Sequence, residues 1–322
     1  MYWWLLALIP VILLIGICIY CFIRCFYAAN KTPIDPYGPL HGQQYIALQD
    51  KIYVWTRNVD DTPFETVTIQ SYDGLTLAGR YYHFRDGAPV KIIFHGYRSL
   101  ALRDSAGGFA ISKTLGINVL AIDQRAHGSS GGHVITFGIR ERHDCLSWIH
   151  YVNDRFGSDT PIILSGLSMG AATVLMAATL PLPDNVVCIF ADSPYSSPKE
   201  IIKKVCKDMH LPAAVVYPLI WLSARILGGF NLGETSALDG VKASKVPMMI
   251  MHGEEDYFVP CEMSKKLHAH SNGMTTLATY PGAGHGLSYM KYTEVYEQSI
   301  YDYLAAIPAI ATSVTFPEVK AK

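Results

Sequence analysis

The stretch that decides the fold is PIILSGLSMGAATVLMAATL, which occupies residues 161–180. It opens on an unalternated apolar run, typical of a parallel strand buried on both faces, and it closes on a helix-forming run. Between the two runs lies a G-x-S-x-G motif centred on Ser168. Glycines two residues to either side permit a sharp strand-to-helix turn that exposes the serine hydroxyl, and the helix N-terminus directs its amides to the same point. Ser168 is therefore the predicted nucleophile.

Two later loops supply the partners that a serine nucleophile needs. A serine hydroxyl is a poor nucleophile at neutral pH and requires a base, which an acid must hold in place. One later apolar run leads into HGEED, which ends at Asp256, and the next leads into PGAGHG, which contains His285. The order Ser168, Asp256, His285 is that of one class of catalytic triad, with His285 as base and Asp256 as acid. Asp192, which also follows an apolar run, is the alternative acid.

Other polar groups near the strand ends are expected to support this site. The first parallel run ends in FHGY, where a loop amide can oppose the amide of Met169 across a developing oxyanion. His95 and His252 are expected to brace strand-end turns. Asp123 and His127 are expected to make hydrogen bonds within the DQRAHG loop.

The rest of the body repeats the alternation of apolar run and helix. Helix-length segments separate the strand-length apolar runs, which lie at 90–94, 119–122, 161–164, 186–190, 246–251 and 275–280. An antiparallel hairpin is predicted before them, because residues 65–84 alternate in polarity around Asp73-Gly74. The pattern predicts an α/β fold with a mostly parallel eight-stranded sheet and helices on both faces. Ligands bind beyond the carboxyl ends of the strands of such a sheet, where the motif loops lie.

Composition divides the chain into a predicted transmembrane anchor, a connector and an α/β domain, at residues 1–27, 28–64 and 65–322. About 50 residues separate the strand that ends near Asp192 from the run at 246–251, which is too many for a simple crossover. They predict a small helical lid at about 195–240. A second membrane helix is the alternative for part of this lid, but Pro218 and Arg225 interrupt the apolar segment. The apolar face of the lid either packs on the domain or lines an acyl-binding pocket.

The N-terminal segment has the length and polarity of a membrane anchor. Residues 2–23 contain no charged side chain, and as a helix they would be about 33 Å long, enough to cross a bilayer core of about 30 Å. Trp3 and Trp4 at one end suit the headgroup region. A cleaved signal peptide is the alternative, although no basic residue precedes the run. Arg24 and Lys31 follow the run, and the positive-inside rule then places the catalytic domain in the cytoplasm.

Composition also excludes several classes of function. The 322 residues carry 26 Lys and Arg against 27 Asp and Glu, so binding driven by phosphate neutralisation is excluded. A nicotinamide-binding protein is disfavoured because no G-x-G-x-x-G follows the first parallel run. His268 and His270 diverge on a helix and no carboxylate spacing supports a metal site. A disulfide scaffold is disfavoured by the scattered cysteines of the body, which are Cys145, Cys188, Cys206 and Cys261.

Five motifs together resemble those of the α/β-hydrolase superfamily, in particular its serine aminopeptidase-like and monoacylglycerol-lipase-like branch. They are HGYRS, DQRAHGSSGG, GLSMG, HGEEDYFVP and GAGHG, and the resemblance covers roughly residues 65–306. The resemblance implies hydrolysis of esters, thioesters, amides or peptides without a metal or organic cofactor. Ala126 departs from the glycine of many relatives, with no expected effect on the triad. The site that the resemblance implies comprises Ser168 as nucleophile, Asp256 as acid, His285 as base, and the amides of Tyr97 and Met169 as oxyanion hole.

The sequence thus predicts a membrane-anchored serine hydrolase that cleaves lipid-derived or medium-chain carboxylic esters through an acyl-enzyme. A serine aminopeptidase is an alternative, although Glu254, Glu255 and Glu262 cannot be assigned from sequence as the group that holds a substrate amine. An acyl-protein thioesterase is another. A non-catalytic membrane receptor with the same fold is the alternative of a different class, and the intact Ser, Asp, His set argues against it. The predicted partners are a small acyl-ester or peptide substrate and the membrane, with no nucleic acid.

Overall fold

The computed structural model describes residues 3–28 and 35–317. The strands are β1 (Glu65–Gln70), β2 (Thr76–Tyr82), β3 (Val90–Phe94), β4 (Asn118–Ile122), β5 (Ile162–Leu167), β6 (Val186–Asp192), β7 (Met248–Gly253) and β8 (Thr275–Tyr280). The helices are α1 (Trp3–Cys25), α2 (Gln43–Ala47), α3 (Gln49–Asp60), α4 (Ala101–Asp104), α5 (Ala106–Leu115), α6 (Glu141–Phe156), α7 (Met169–Ala177), α8 (Pro198–Asp208), α9 (Ala213–Ile226), α10 (Ala237–Ala243), α11 (Cys261–Ala269), α12 (Ser288–Lys291), α13 (Thr293–Ala305) and α14 (Pro308–Ala311).

The strands form one sheet in the order β1-β2-β4-β3-β5-β6-β7-β8. β2 pairs antiparallel with β1 and with β4, and every other neighbouring pair is parallel. The predicted hairpin joins β1 to β2, and Gly74 in its turn has a φ of 82° that favours glycine. The predicted mostly parallel eight-stranded sheet is confirmed within the described residues.

Burial on both faces explains why the central strands lack polar alternation. All five residues of β3 are buried. Ile92 and Phe94 pack in the core cluster that includes residues of α6 and α7, whereas Ile93 packs with Phe109 of α5 on the other face. Two helical layers therefore enclose the sheet, as parallel strands require.

The helix α3 of the connector docks on the α/β domain. On α3, Lys51 Nζ donates to the carbonyl of Met290 at 2.6 Å and to Thr293 Oγ1 at 2.8 Å. The Trp55 ring packs against Tyr289, with their centroids 4.2 Å apart. These contacts place α3 beside α12 and the start of α13.

The C-terminal end of α1 contacts the domain. Phe26, directly after α1, is buried between the rings of Phe137 and Phe230, with centroid distances of 5.7 and 5.3 Å. Arg98 Nη2 donates to the carbonyl of Arg24 at 3.1 Å. These contacts fix one end of α1 against the domain.

One segment of α1, Leu8–Cys25, is long and apolar enough to cross a membrane, with a mean hydropathy of 2.5 and 17% of it buried. A signal sequence meets the same criteria, so the helix is a candidate for either role. Arg24 lies in the last turn of α1. Lys31 and the side chains of Trp3 and Trp4, on which the expected orientation and interface depend, lie outside the described residues.

The predicted lid segment at about 195–240 contains the helices α8 and α9 and the beginning of the short helix α10. α9 packs against α1, and Val216 and Leu219 on α9 contact the larger core cluster. Other α9 side chains are exposed and apolar, among them Val215, Trp221 and Ile226. One part of α9 is therefore a packing surface and another is an unpartnered apolar surface.

Candidate active site

Ser168 occupies the turn between β5 and α7 in a strained backbone conformation. Its φ and ψ are 54° and −111°, a combination that residues with a Cβ rarely adopt. At both flanking glycines there is no room for a side chain. A Cβ on Gly166 would overlap the carbonyl group of Gly170, and a Cβ on Gly170 would overlap the carbonyl oxygen of Phe94. The turn therefore presents Ser168 at the carboxyl edge of the sheet and at the N-terminus of α7.

His285 and Asp256 form a hydrogen-bonded pair at the same edge. His285 Nδ1 donates to Asp256 Oδ2 at 2.6 Å. Because an ionised carboxylate only accepts, this bond places the imidazole proton on Nδ1 and leaves the Nε2 lone pair free. The Phe258 ring packs edge-on against the imidazole, with 5.2 Å between centroids. A free Nε2 is the form that a general base requires.

The surroundings of Asp256 hold its buried carboxylate ionised. Its Oδ1 accepts the amides of Phe258 and Val259 at 2.9 and 2.8 Å, and His252 Nε2 lies 3.1 Å from Oδ2. Burial acts to raise the pKa of Asp256, but the hydrogen bonds from His252 and His285 outweigh burial and hold this pKa well below its ordinary value. His252 therefore braces the acidic residue itself.

Asp192, the alternative acid, ends β6 and has different partners. Its Oδ2 accepts from the Tyr296 hydroxyl at 2.9 Å and its Oδ1 from the Ser193 hydroxyl at 2.9 Å. In the part of the chain that the structure describes, it makes no hydrogen bond with His285. Burial raises the pKa of Asp192 although both hydroxyls act to lower it. The geometry thus brings Asp256, and not Asp192, to the imidazole.

Two backbone amides near Ser168 have no hydrogen-bond acceptor among the described residues. They belong to Tyr97, in the loop after β3, and to Met169, at the start of α7. The two segments approach closely, since a Cβ on Gly96 would lie 3.5 Å from the Ser168 Cβ. Unpaired amides at such a point can donate to an oxyanion formed on an acylated serine.

His95 and His127 hold the loop that carries the Tyr97 amide. His127 Nε2 accepts the amide of Arg98 at 2.9 Å, and His95 Nε2 accepts the amide of Gln124 at 3.0 Å. Ala126, in the same DQRAHG loop, has a φ of 64°. This left-handed conformation favours glycine, which is the residue that the family resemblance implies at this position.

Ser168 and His285 line one cavity of about 360 Å³. Ser168 Oγ and His285 Nε2 do not form a hydrogen bond with each other in this structure. Among the described residues, the His285 side chain makes one hydrogen bond, to Asp256. Catalytic hydrogen bonds are often long in enzymes without substrate and tighten when substrate binds. Ser168, the predicted nucleophile, and His285, the predicted base, therefore line the same cavity without a hydrogen bond between them.

The connector covers the cavity, whereas the predicted lid does not line it. Within the described ranges, no residue of 195–240 lines this cavity, so the apolar face of the lid does not form the acyl-binding wall of the cavity that contains Ser168. Leu40, Tyr45 and Ile52 of the connector line the cavity instead. The Tyr45 hydroxyl donates to the carbonyl of His285 at 2.6 Å, which links the connector to the predicted base.

Among the described residues, no group of three His, Cys, Asp or Glu side chains is placed to hold a metal ion. His268 and His270 have separate partners. His268 Nδ1 lies 2.8 Å from Thr275 Oγ1, and His270 Nδ1 lies 2.8 Å from the carbonyl of Lys266. These two side chains therefore serve local structure on and after α11.

The mostly parallel sheet, with a serine at a strained strand-to-helix turn after β5, defines the α/β-hydrolase superfamily that the sequence motifs resemble. Within it, the chain belongs to the prolyl oligopeptidase family, whose model matches residues 109–308. The predicted superfamily is confirmed.

Sequence relatives and solved structures agree with this assignment. Protein YqkD of Bacillus subtilis is 25% identical over 237 residues, which cover 73% of this chain and 77% of the relative. The lysophosphatidylserine lipase ABHD12 of Xenopus tropicalis is 25% identical over 168 residues, covering 50% of this chain and 40% of the relative. The esterase Pf2001 of Pyrococcus furiosus matches with a TM-score of 0.62 and 21% identity, covering 85% of this chain and 98% of that one. The prediction of an esterase-like or lipase-like hydrolase is thereby confirmed at the level of enzyme class.

Three residues of the cavity were not predicted from the sequence. No sequence motif indicates Tyr45 or Asp104 as a cavity residue, because their positions depend on how the connector and the segment with α4 fold back over the site. Asp104 Oδ2 accepts the amide of Gly96 at 2.8 Å. Lys91 also lines the cavity, and its signal was visible as a single charge within the apolar run of β3.

Proposed function

We propose that the chain is a serine hydrolase that cleaves carboxylic esters, with Ser168 as nucleophile, His285 as base and Asp256 as acid. The observation that carries this proposal is a shared cavity, in which Ser168 at its strained turn faces the same space as the imidazole that Asp256 orients. Family membership supports the reaction class, and the names of the esterase and lipase relatives support the type of bond.

The proposed reaction proceeds in two steps. Ser168 Oγ attacks the ester carbonyl carbon and its proton passes to His285 Nε2, while Asp256 stabilises the imidazolium. The amides of Tyr97 and Met169 donate to the oxyanion, each contributing roughly 3 kcal/mol of transition-state stabilisation. The alcohol leaves with the proton from His285, and a water molecule activated by the same imidazole then releases the acid from the acyl-enzyme.

An ester is favoured over a peptide by the polar groups of the cavity. A peptidase is the second candidate because of the family name, and an aminopeptidase needs a free carboxylate for the substrate amine. Glu254, Glu255 and Glu262 do not line the cavity. Asp104 and Asp192 do, but both already accept hydrogen bonds. Asp104 accepts the amide of Gly96 at 2.8 Å and the hydroxyl of Ser99 at 2.7 Å. Asp192 accepts the hydroxyls of Tyr296 and Ser193. Apolar side chains form much of the remaining wall, which suits an acyl chain.

We expect the detergent-solubilised full chain to hydrolyse p-nitrophenyl esters, with kcat/KM rising about fourfold per added methylene until the cavity is full. Aminoacyl p-nitroanilides, offered in parallel, are expected to react far more slowly. Initial rates followed by nitrophenol or nitroaniline release test this, with a Ser168→Ala preparation as the blank for contaminating esterases. Rapid cleavage of the anilides without cleavage of the esters would reverse the assignment in favour of a peptidase.

We also propose that α1 is an uncleaved membrane anchor and that the catalytic domain lies in the cytoplasm. The segment Leu8–Cys25 has the required length and polarity. The apolar surface of α1 continues onto the domain, because the neighbouring helix α9 exposes Val215, Trp221 and Ile226. A bilayer around α1 would offer these side chains an apolar environment.

A reporter fused to the C-terminus tests the orientation. In a bacterial host, a C-terminal green fluorescent protein is expected to fluoresce and a C-terminal alkaline phosphatase to be inactive, because Arg24 after the span favours a cytoplasmic C-terminus. The same reporters fused at the N-terminus serve as the control and are expected to give the opposite pattern. An active C-terminal phosphatase, or an intact mass that lacks the first 27 residues, contradicts the proposal.

A further inference from the structure

The inner end of the catalytic cavity contains a buried lysine that the proposed reaction does not use. Lys91, the second residue of β3, retains 4% of its exposed area and lines the same cavity as Ser168. Its ammonium group lies between two other cavity residues. Nζ is 5.2 Å from the centroid of the Phe190 ring, and a Cβ on Gly108 would lie 3.3 Å from Nζ.

No acceptor satisfies this ammonium group. In the described part of the chain, Lys91 makes no ion pair and no side-chain hydrogen bond, and its one polar contact is the face of the Phe190 ring. A buried cation without an anionic partner is costly. The cost appears as a lowered pKa, because burial brings the pKa of Lys91 down to about 8. The nearby thiol of Cys188 is itself buried, which raises its pKa to about 12 and leaves it neutral.

The register of the sheet relates this lysine to the nucleophile. Lys91 pairs with Ile163 on β5, and Ser168 follows five residues later on the same segment. At about 3.3 Å per residue these positions are about 16 Å apart along the strand direction. Ile111, Phe190 and Ile300 line the cavity as well. The cavity thus has a reactive serine at its mouth, walls that are largely apolar but include Asp104, Asp192 and Arg103, and the unpaired ammonium group of Lys91 at its inner end.

We propose that Lys91 binds a carboxylate at the far end of an extended acyl chain in this cavity. Such a ligand satisfies all three features, because its chain fills the apolar walls and its carboxylate accepts hydrogen bonds from the ammonium group. One cation between a ring and a helix backbone suits a compact monoanion, whereas a phosphate group would leave further oxygens unpaired in an apolar space. The inference rests on the proposed function for the identity of Ser168 as nucleophile.

Two ligands share this chemistry, and the experiment distinguishes them. One is an ester whose acyl chain ends in a second carboxylate, and the other is a free fatty acid that enters with its carboxylate first. The kinetic arm compares p-nitrophenyl monoesters of adipic, suberic and sebacic acids with the neutral hexanoate, octanoate and decanoate esters. The binding arm measures decanoate and monomethyl sebacate by calorimetry on the Ser168→Ala protein, with Lys91 intact or replaced.

For the wild type, the ratio of kcat/KM for the anionic ester to that for the neutral ester is expected to be highest at one matching chain length. Lys91→Met is expected to lower this ratio roughly tenfold to a hundredfold at that length, because a hydrogen bond to a charged group is lost. Removal of a buried unpaired charge is compatible with folding. The matched control is Lys113→Met on the exposed side of α5, which is expected to leave the ratio unchanged.

The two arms separate failure of this inference from failure of the proposed function. Ester hydrolysis with an anionic-to-neutral ratio that Lys91→Met does not change, and carboxylate binding that ignores Lys91, would overturn the inference while the hydrolase stands. Lys91-dependent binding without hydrolysis of any ester would support the inference and refute the proposed function. Lys91-dependent binding of decanoate without any preference for the anionic esters would support the carboxylate site and identify a fatty acid as its ligand.

Discussion

Replacement of Ser168 by alanine is expected to lower kcat/KM for p-nitrophenyl esters about 10⁴-fold or more and to abolish labelling by a fluorophosphonate probe. The physical reason is that the alanine retains the fold, the cavity and the two free amides but supplies no oxygen that can form the acyl-enzyme. Gel fluorescence after probe labelling and initial-rate kinetics measure the two effects. Persistent labelling of the Ser168→Ala protein would show that another side chain is the nucleophile.

The strained turn offers a second measurement on the same position. Ser168 has a φ of 54°, and alanine at this position keeps the Cβ and the strain, whereas glycine relieves it. Ser168→Gly is therefore expected to be as inactive as Ser168→Ala but more stable, by about 1 kcal/mol in the free energy of unfolding. Ser223→Ala serves as the control, because this buried serine donates to the carbonyl of Ile220 in α9, away from the cavity. The Ser223→Ala protein is expected to be labelled by the fluorophosphonate probe to the same extent as the wild type.

The parts of the fold that depend on local sequence were predictable. The residues of β3 and β8 match the predicted runs, because a strand buried on both faces must be apolar throughout and its ends must carry turn residues. The turn at Ser168 was predictable for the same reason, since its two glycines are required by contacts within a few residues or with the adjacent strand. β6 and β7 extend two residues beyond their predicted ends and β5 extends three, because the backbone pairing continues past the apolar runs.

The cover of the cavity could not be predicted, because it depends on how distant segments pack. The predicted lid residues pack on α1 and on the core, and the connector occupies the space over His285 through the Tyr45 hydroxyl. The local sequence predicts neither arrangement, because a helix with an apolar face does not specify which distant surface it will pack against. Lys91 is different, because a charge within the run VKIIF was visible in the sequence. The run alone does not predict that Lys91 and Ser168 line the same cavity, because that depends on how α5 and the loops at the strand ends pack.

Asp256→Asn is expected to lower kcat about 10⁴-fold, whereas Asp192→Asn is expected to lower it less than about tenfold. An asparagine at 256 can present an amide donor to Nδ1 of His285, which would move the imidazole proton to Nε2 and remove the general base. The carboxylate at 192 has no such link to the imidazole, because its oxygens accept from Tyr296 and Ser193. Steady-state kinetics on p-nitrophenyl esters measure both effects, and the opposite ranking of the two variants would make Asp192 the acid.

The charge states of the two carboxyls support the same ranking. An acid that stabilises an imidazolium must be ionised, and the hydrogen bonds from His252 and His285 hold the pKa of Asp256 below its ordinary value despite burial. Burial instead raises the pKa of Asp192, which favours its neutral form. Asp192→Asn is thus expected to cost stability rather than rate, about 1–3 kcal/mol if the Tyr296 hydroxyl loses its acceptor. Rates are therefore compared per folded molecule, with the folded fraction taken from thermal unfolding, so that a loss of stability is not mistaken for a loss of catalysis.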